Sequence, residues 1–79
     1  MATILTDEAQ EGVNATSPDS PYLATSDSAN AWFIGAWLRK TGRSEPRDVR
    51  TSRGSTYHVN DMKVKIRTVR NRATIERIS

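Results

Sequence analysis

The sequence predicts a small α+β module: one helix at about 28–41 packed on a two- or three-stranded antiparallel sheet at about 55–59, 62–69 and 73–78. Three observations carry this. Apolar residues between 29 and 38 recur at helical spacing, whereas those between 55 and 66 alternate with polar ones. The alternation is broken only by Asn60-Asp61, a pair that tolerates positive φ and can turn a hairpin. Charge is also divided: residues 1–31 carry five acids and no Lys or Arg, while residues 32–79 hold all twelve basic residues against four acids. The third observation splits the chain into a disordered acidic tail, 1–25, and a basic folded domain, 26–79.

The tail is rich in Ala, Thr, Ser, Asp and Glu, with Pro18 and Pro21 near its end. Its few apolar residues show no period, so the expected burial is too small to offset the entropy of ordering. The helix begins where Ser26, Asp27 and Ser28 offer N-cap side chains and a negative charge at the positive end. It ends at Gly42, after Arg39 and Lys40 in the last turn. Ala29, Trp32, Phe33, Ala36 and Trp37 form the core-facing stripe, and Ala31, Ile34 and Leu38 a second one beside it. Gly35 interrupts the helix at a cost of ~1 kcal/mol relative to Ala, which close approach by another backbone would offset.

Residues 43–54 form a connector punctuated by Arg43, Arg47, Arg50 and Arg53, with Pro46 discouraging helix before it. In the hairpin, a two-residue turn sets Val59 against Met62, Tyr57 against Val64 and Ser55 against Ile66. One face is then Tyr57, Val59, Met62, Val64 and Ile66; the other is Thr56, His58, Lys63, Lys65 and Arg67. A third strand after a turn near Arg70-Asn71 pairs Ile75 with Ile66 and Glu76 with Lys65, with a C-terminal helix over 68–78 as the competing reading.

The chain of 79 residues has no cysteine, so neither a disulfide nor a thiolate metal site supports so small a core. Its longest apolar run, 31–38, is far short of the ~20 residues that span a bilayer, and residues 1–10 do not resemble a signal peptide. A soluble, cytoplasmic protein without membrane contact is expected. Catalysis is not expected: His58 is the single histidine, and no phosphate loop, dinucleotide fingerprint, metal-ligand spacing or other cofactor motif is present.

The basic residues are the stronger functional signal. Lys63, Lys65 and Arg67 project from one sheet face, Arg70 and Arg72 lie at the next turn, and Arg43, Arg47, Arg50 and Arg53 line the connector. Such groups neutralise phosphates, and guanidinium contacts them through paired hydrogen bonds. This predicts a non-catalytic nucleic-acid-binding module, for RNA or DNA. The alternative is a small regulator of the phage or plasmid type that inhibits a host protein. It would act through the acidic tail or through Ile34 and Leu38, the second helix stripe, which is either covered by the connector and third strand or left exposed to a partner. That stripe would equally serve a homodimer.

Two resemblances bear on these readings. Ser20-Pro21-Tyr22, followed by Ala31-Trp32 and Gly35-Ala36-Trp37, resembles ribosome modulation factor and its small phage and plasmid relatives over residues 20–42. The resemblance implies binding to the small ribosomal subunit, ribosome dimerisation and hibernation, with Pro21, Tyr22, Trp32, Gly35 and Trp37 in the shared motif. More loosely, Trp37-Leu38-Arg39-Lys40-Thr41-Gly42-Arg43, the basic loop with Pro46, and the hairpin look like phage excisionases built from a helix and a wing. That implies a wing contacting the minor groove or phosphates.

Overall fold

The computed structural model describes residues 2–23, 26–69 and 72–79. In chain order its elements are α1 (Thr6–Asn14), α2 (Asp27–Lys40), β1 (Val49–Thr51), β2 (Thr56–Val59), β3 (Met62–Val69) and β4 (Arg72–Arg77). The strands form one antiparallel sheet in the order β1-β2-β3-β4, on which both helices pack. The expectation of one helix on two or three strands is therefore corrected on two counts. A second helix lies within the stretch expected to be disordered, and a fourth strand lies within the connector.

α2 starts and stops for the reasons its sequence suggests. The Ser26 hydroxyl accepts the Ala29 N–H at 3.1 Å, and Asp27 sits in the first turn. At the other end Gly42 takes φ +70°, and the Arg43 and Gly42 N–H groups donate to the Leu38 and Arg39 carbonyls. This is a Schellman closure, and it satisfies carbonyls that the helix end would otherwise leave open.

α1 shares only one of these signals, the acids Asp7 and Glu8 in its first turn. Leu5 precedes it, and no side chain caps it. It is held by packing: Leu5 and Ala9 are buried in the core, and Gly12 lies against α2. A Cβ on Gly35 would stand 1.8 Å from the Ala9 carbonyl oxygen, and one on Gly12 would stand 1.9 Å from that of Trp32. The two backbones thus touch where neither helix carries a side chain, which is the close approach that a mid-helix glycine anticipates. Arg39 closes the far end of α1 by donating to the carbonyls of Val13 and Ala15 at 3.1 and 2.8 Å. The Tyr22 hydroxyl ties the following loop back to the Glu11 carboxylate at 2.8 Å, and that bond, more than any other influence, raises the phenol's pKa above its ordinary value.

With α1 in place, α2 is rotated from the expected orientation. Ala31, Ile34 and Leu38 join Val49, Tyr57, Val59, Val64 and Ile66 in the central cluster, while Phe33 and Trp37 are only half-buried beside it. Trp32 is buried too, its ring edge-on to Phe33 at 5.2 Å. Ile34 and Leu38 are 0% and 1% exposed, so of the two readings of this stripe the structure shows the covered one, and the partner-facing one is corrected. Each such side chain contributes ~1.5–3 kcal/mol by leaving water.

The hairpin has the register that alternation requires. Val59 pairs with Met62 and Tyr57 with Val64, Ile66 donates to the Ser55 carbonyl, and Asn60 takes φ +53°. β4 pairs Ile75 with Ile66 and Glu76 with Lys65, which excludes a helix there. β1 escapes notice in the sequence because three residues cannot show an alternation. It is fixed from both sides. The Asn60 side chain accepts the Arg47 and Asp48 N–H groups at 2.8 and 3.2 Å and donates to the Glu45 carbonyl at 3.2 Å, anchoring the connector to the turn. Along its outer edge Leu5 donates to Val49 and Thr51 to Thr3, with Ile4 bridged to Arg50.

One polar chain crosses the helix–sheet contact. The buried Tyr57 hydroxyl donates to Asp27 at 2.6 Å and accepts from Asn30 at 2.9 Å, and Asn30 in turn accepts from Thr68 at 3.3 Å. Burial first, then the bond to Asp27, pushes the Tyr57 phenol up to about 12, against the opposing pull of Asn30. Among the described residues, no helix is long and apolar enough to cross a membrane.

Candidate nucleic-acid interface

The helices cover one face of the sheet and leave the other open. Alternation along β3 sends Val64 and Ile66 inward, and they are buried; it sends Lys63, Lys65 and Arg67 outward, and they are exposed. The pairing registers then place neighbours on the open face row by row. Arg50, His58 and Lys63 lie abreast on β1, β2 and β3. Thr56, Lys65 and Glu76 form the next row, Arg67 lies beside Thr74, and Val69 beside Arg72. Five cations therefore share a single surface: Arg50, Lys63, Lys65, Arg67 and Arg72.

Two carboxylates temper it. Asp48 lies 3.2 Å from the Arg50 Nε and 3.4 Å from the His58 Nε2, so it occupies the β1 corner of the face. Glu76 lies opposite Lys65 in the ladder without approaching to ion-pair distance. Among the described residues, Lys63, Lys65, Arg67 and Arg72 form no ion pair. Side chains two apart on a strand are about 6.7 Å apart. Three successive outward cations thus form a line along β3 with a spacing suited to consecutive phosphates.

The remaining basic residues are elsewhere. Arg43 lies over the Trp37 ring, 4.9 Å from its centroid, and Arg47 approaches Asp61 at 3.9 Å. Together with Arg77 they line a cleft of about 350 Å³ at the Asn60-Asp61 turn. Arg53 is exposed in the loop between β1 and β2. Arg70 lies outside the described residues. The nine basic residues expected to act together therefore do not form one surface. Lys63, Lys65, Arg67, Arg72 and Arg50 converge on the open face, while Arg43 and Arg47 gather at the turn with Arg77. Arg77 was absent from the expected set; the inward parity of Ile75, two residues away, could have placed it there.

Of the residues carrying the first resemblance, Trp32 and Gly35 are spent on packing α2, Trp37 supports Arg43, and Pro21 is exposed. Ile34 and Leu38, buried as they are, offer no surface to a partner. Among the described residues, the open face carries no Trp, Tyr or Phe, since Tyr57 points into the core, and its one aromatic ring is the His58 imidazole at the β1 corner beside Asp48. Among the described residues, no three carboxylate or imidazole groups gather as a metal site. No family model, curated protein or solved structure matches the chain.

Proposed function

We propose that the open sheet face binds nucleic acid through its phosphates, without reading sequence. The observation that carries this reading is the line of Lys63, Lys65 and Arg67 on β3, exposed, free of ion pairs among the described residues and flanked by Arg50 and Arg72. Cations so arranged displace the counterions condensed on a polyanion, and that release supplies most of the affinity of non-specific binding. The hydroxyls of Thr56 and Thr74 stand in the same rows and can donate to phosphate oxygens. With only the His58 imidazole, held beside Asp48, the face lacks the run of Trp, Tyr or Phe rings on which successive bases stack.

The test is fluorescence anisotropy with labelled mixed-sequence oligonucleotides: single-stranded RNA, duplex RNA and duplex DNA. Engagement of roughly four phosphates gives a log–log salt slope of about −4 on duplex DNA and about −3 on a single strand. Replacing Lys63, Lys65 and Arg67 together by Glu lowers affinity about a hundredfold or more and flattens the slope. The helical content and melting of the triple variant stay close to those of the parent, since all three side chains are exposed. Binding that is insensitive to salt, or that survives the triple replacement, removes the proposal.

A further inference from the structure

The two edges of the sheet are treated differently. Outside β1, residues 3–5 lie along the strand and satisfy its backbone through Leu5 to Val49 and Thr51 to Thr3. Outside β4, no strand pairs among the described residues. Unpaired edges of this kind accept another chain readily, and proteins commonly protect them with charged side chains, proline, a bulge, shortness or a covering element. β4 has the charges Arg72, Glu76 and Arg77, of which the first two can pair with each other across two copies. β4 has six residues and no proline. The one irregularity lies past its end, where the Ile78 and Ser79 N–H groups both donate to the Lys63 carbonyl and bulge the chain.

Hydrogen-bond parity identifies the groups on offer. Because Ile78 donates to Lys63, the residues of β4 that turn toward β3 are Arg72, Thr74 and Glu76. Ala73, Ile75 and Arg77 therefore direct their N–H and C=O groups outward. In a pair of β4 strands related by a two-fold axis at Thr74, Ala73 of one copy meets Ile75 of the other. Both are outward residues, so their backbone groups can bond. The same register sets Arg72 opposite Glu76, twice, on the open face of the sheet. Ala73 and Ile75 lie on the helix-covered face and pair apolar with apolar. Moving the axis to Ile75 loses this match, since Glu76 then faces Thr74.

We propose that β4 pairs antiparallel with β4 of a second copy of this chain, with Thr74 on the axis. The two sheets become one of eight strands, and each Glu76 lies between Lys65 of its own chain and Arg72 of the partner copy. The occupant is a second copy, and not an unrelated strand, because the sequence Arg72-Ala73-Thr74-Ile75-Glu76 complements itself in charge and in apolar character. The inference does not depend on nucleic-acid binding.

The experiment has two arms. In the first, the unaltered chain is followed by sedimentation and by amide hydrogen exchange over a range of concentrations. It sediments as a dimer at the upper end, and the Ala73 and Ile75 amides become protected as the dimer forms. In the second, Arg72→Glu and Glu76→Arg are made separately, and circular dichroism verifies that each is folded. Either reversal alone turns both cross-copy pairs into like-charge pairs and weakens self-association about tenfold or more. Mixing the two in equal amounts restores association, because every junction is then of opposite charge. A chain that stays monomeric with these amides unprotected overturns the proposal. So does a dimer indifferent to the reversals, or one that the mixture fails to restore. If a variant does not fold, the amide measurement on the unaltered chain decides.

Discussion

α1 and α2 lie against each other, yet they are held by different physics. α2 has a side-chain N-cap in Ser26, a glycine closure at Gly42 and large apolar residues turned to the sheet. α1 has no side-chain cap, three acids and a contact surface of small residues, Ala9 and Gly12, with Leu5 just before it. α2 carries its stability in its own sequence. α1 borrows its stability from the groove that Gly35 opens. The contrast shows that a helix can be essential to a core while lacking almost every signal that marks a helix, provided its partner supplies the space.

The sharpest way to break the contrast is Gly35→Ala. Alanine favours an isolated helix by ~1 kcal/mol, so a helix held only by its own sequence would gain from the change. Here the added methyl meets the Ala9 backbone, which cannot rotate away, and the helices must separate. The expected outcome is a net loss of about 2 kcal/mol, measured by urea unfolding and in the direction opposite to propensity. Loss of stability with α2 intact and α1 unprotected in hydrogen exchange would sharpen the comparison further.

Next in size is Tyr57→Phe, which tests how the first turn of α2 is tied to the sheet. It deprives Asn30 of an acceptor and Asp27 of a donor, and should cost about 1.5 kcal/mol. It also changes the response to alkali. The Tyr57 pKa is about 12 when folded, against an ordinary value of 10.0. Between these values the unfolded chain gives up the proton first, so stability present below pH 10 is lost as pH rises through about 12. Unfolding curves across that window should show the decline in the parent and a weaker one in the variant.

The smallest effect is Ser26→Ala, which removes the N-cap bond to Ala29 and should cost about 1 kcal/mol. Thermal melting would register it as a modest downward shift. Its counterpart in α1 does not exist, because no side chain caps that helix.

These differences mark what could be read in advance. The hairpin was legible because a buried face fixes register: slipping Val64 by one residue would drive Lys63 or Lys65 into the core. The ends of α2 were legible because Ser26 and Gly42 act locally. α1 was not, since Ala9 and Gly12 carry no hydrophobic signal, and their value exists only against Gly35. The rotation of α2 followed from the same omission. Without α1, periodicity alone turns Trp32 and Phe33 to the sheet and leaves the cover of Ile34 and Leu38 undecided.

The candidate site divides along the same line. Lys63, Lys65 and Arg67 could be placed on the open face because alternation is a short-range rule, and Arg72 followed once β4 was paired. Arg43 and Arg47 could not be separated from them by sequence. Arg47 is placed by Asn60, which grips the connector from thirteen positions away, and Arg43 by the closure of α2 and the Trp37 ring.

The rung between residues 3–5 and β1 has a consequence for the entropy of folding. Those residues and α1 precede their binding site in the chain: the groove on α2 comes later, and the strand they border lies more than forty positions on, as the Val49–Thr6 bond shows. Too short to be helical alone, this segment gains its order only from docking there. The contact closes a loop of more than forty residues, so its closure entropy exceeds that of the adjacent hairpin.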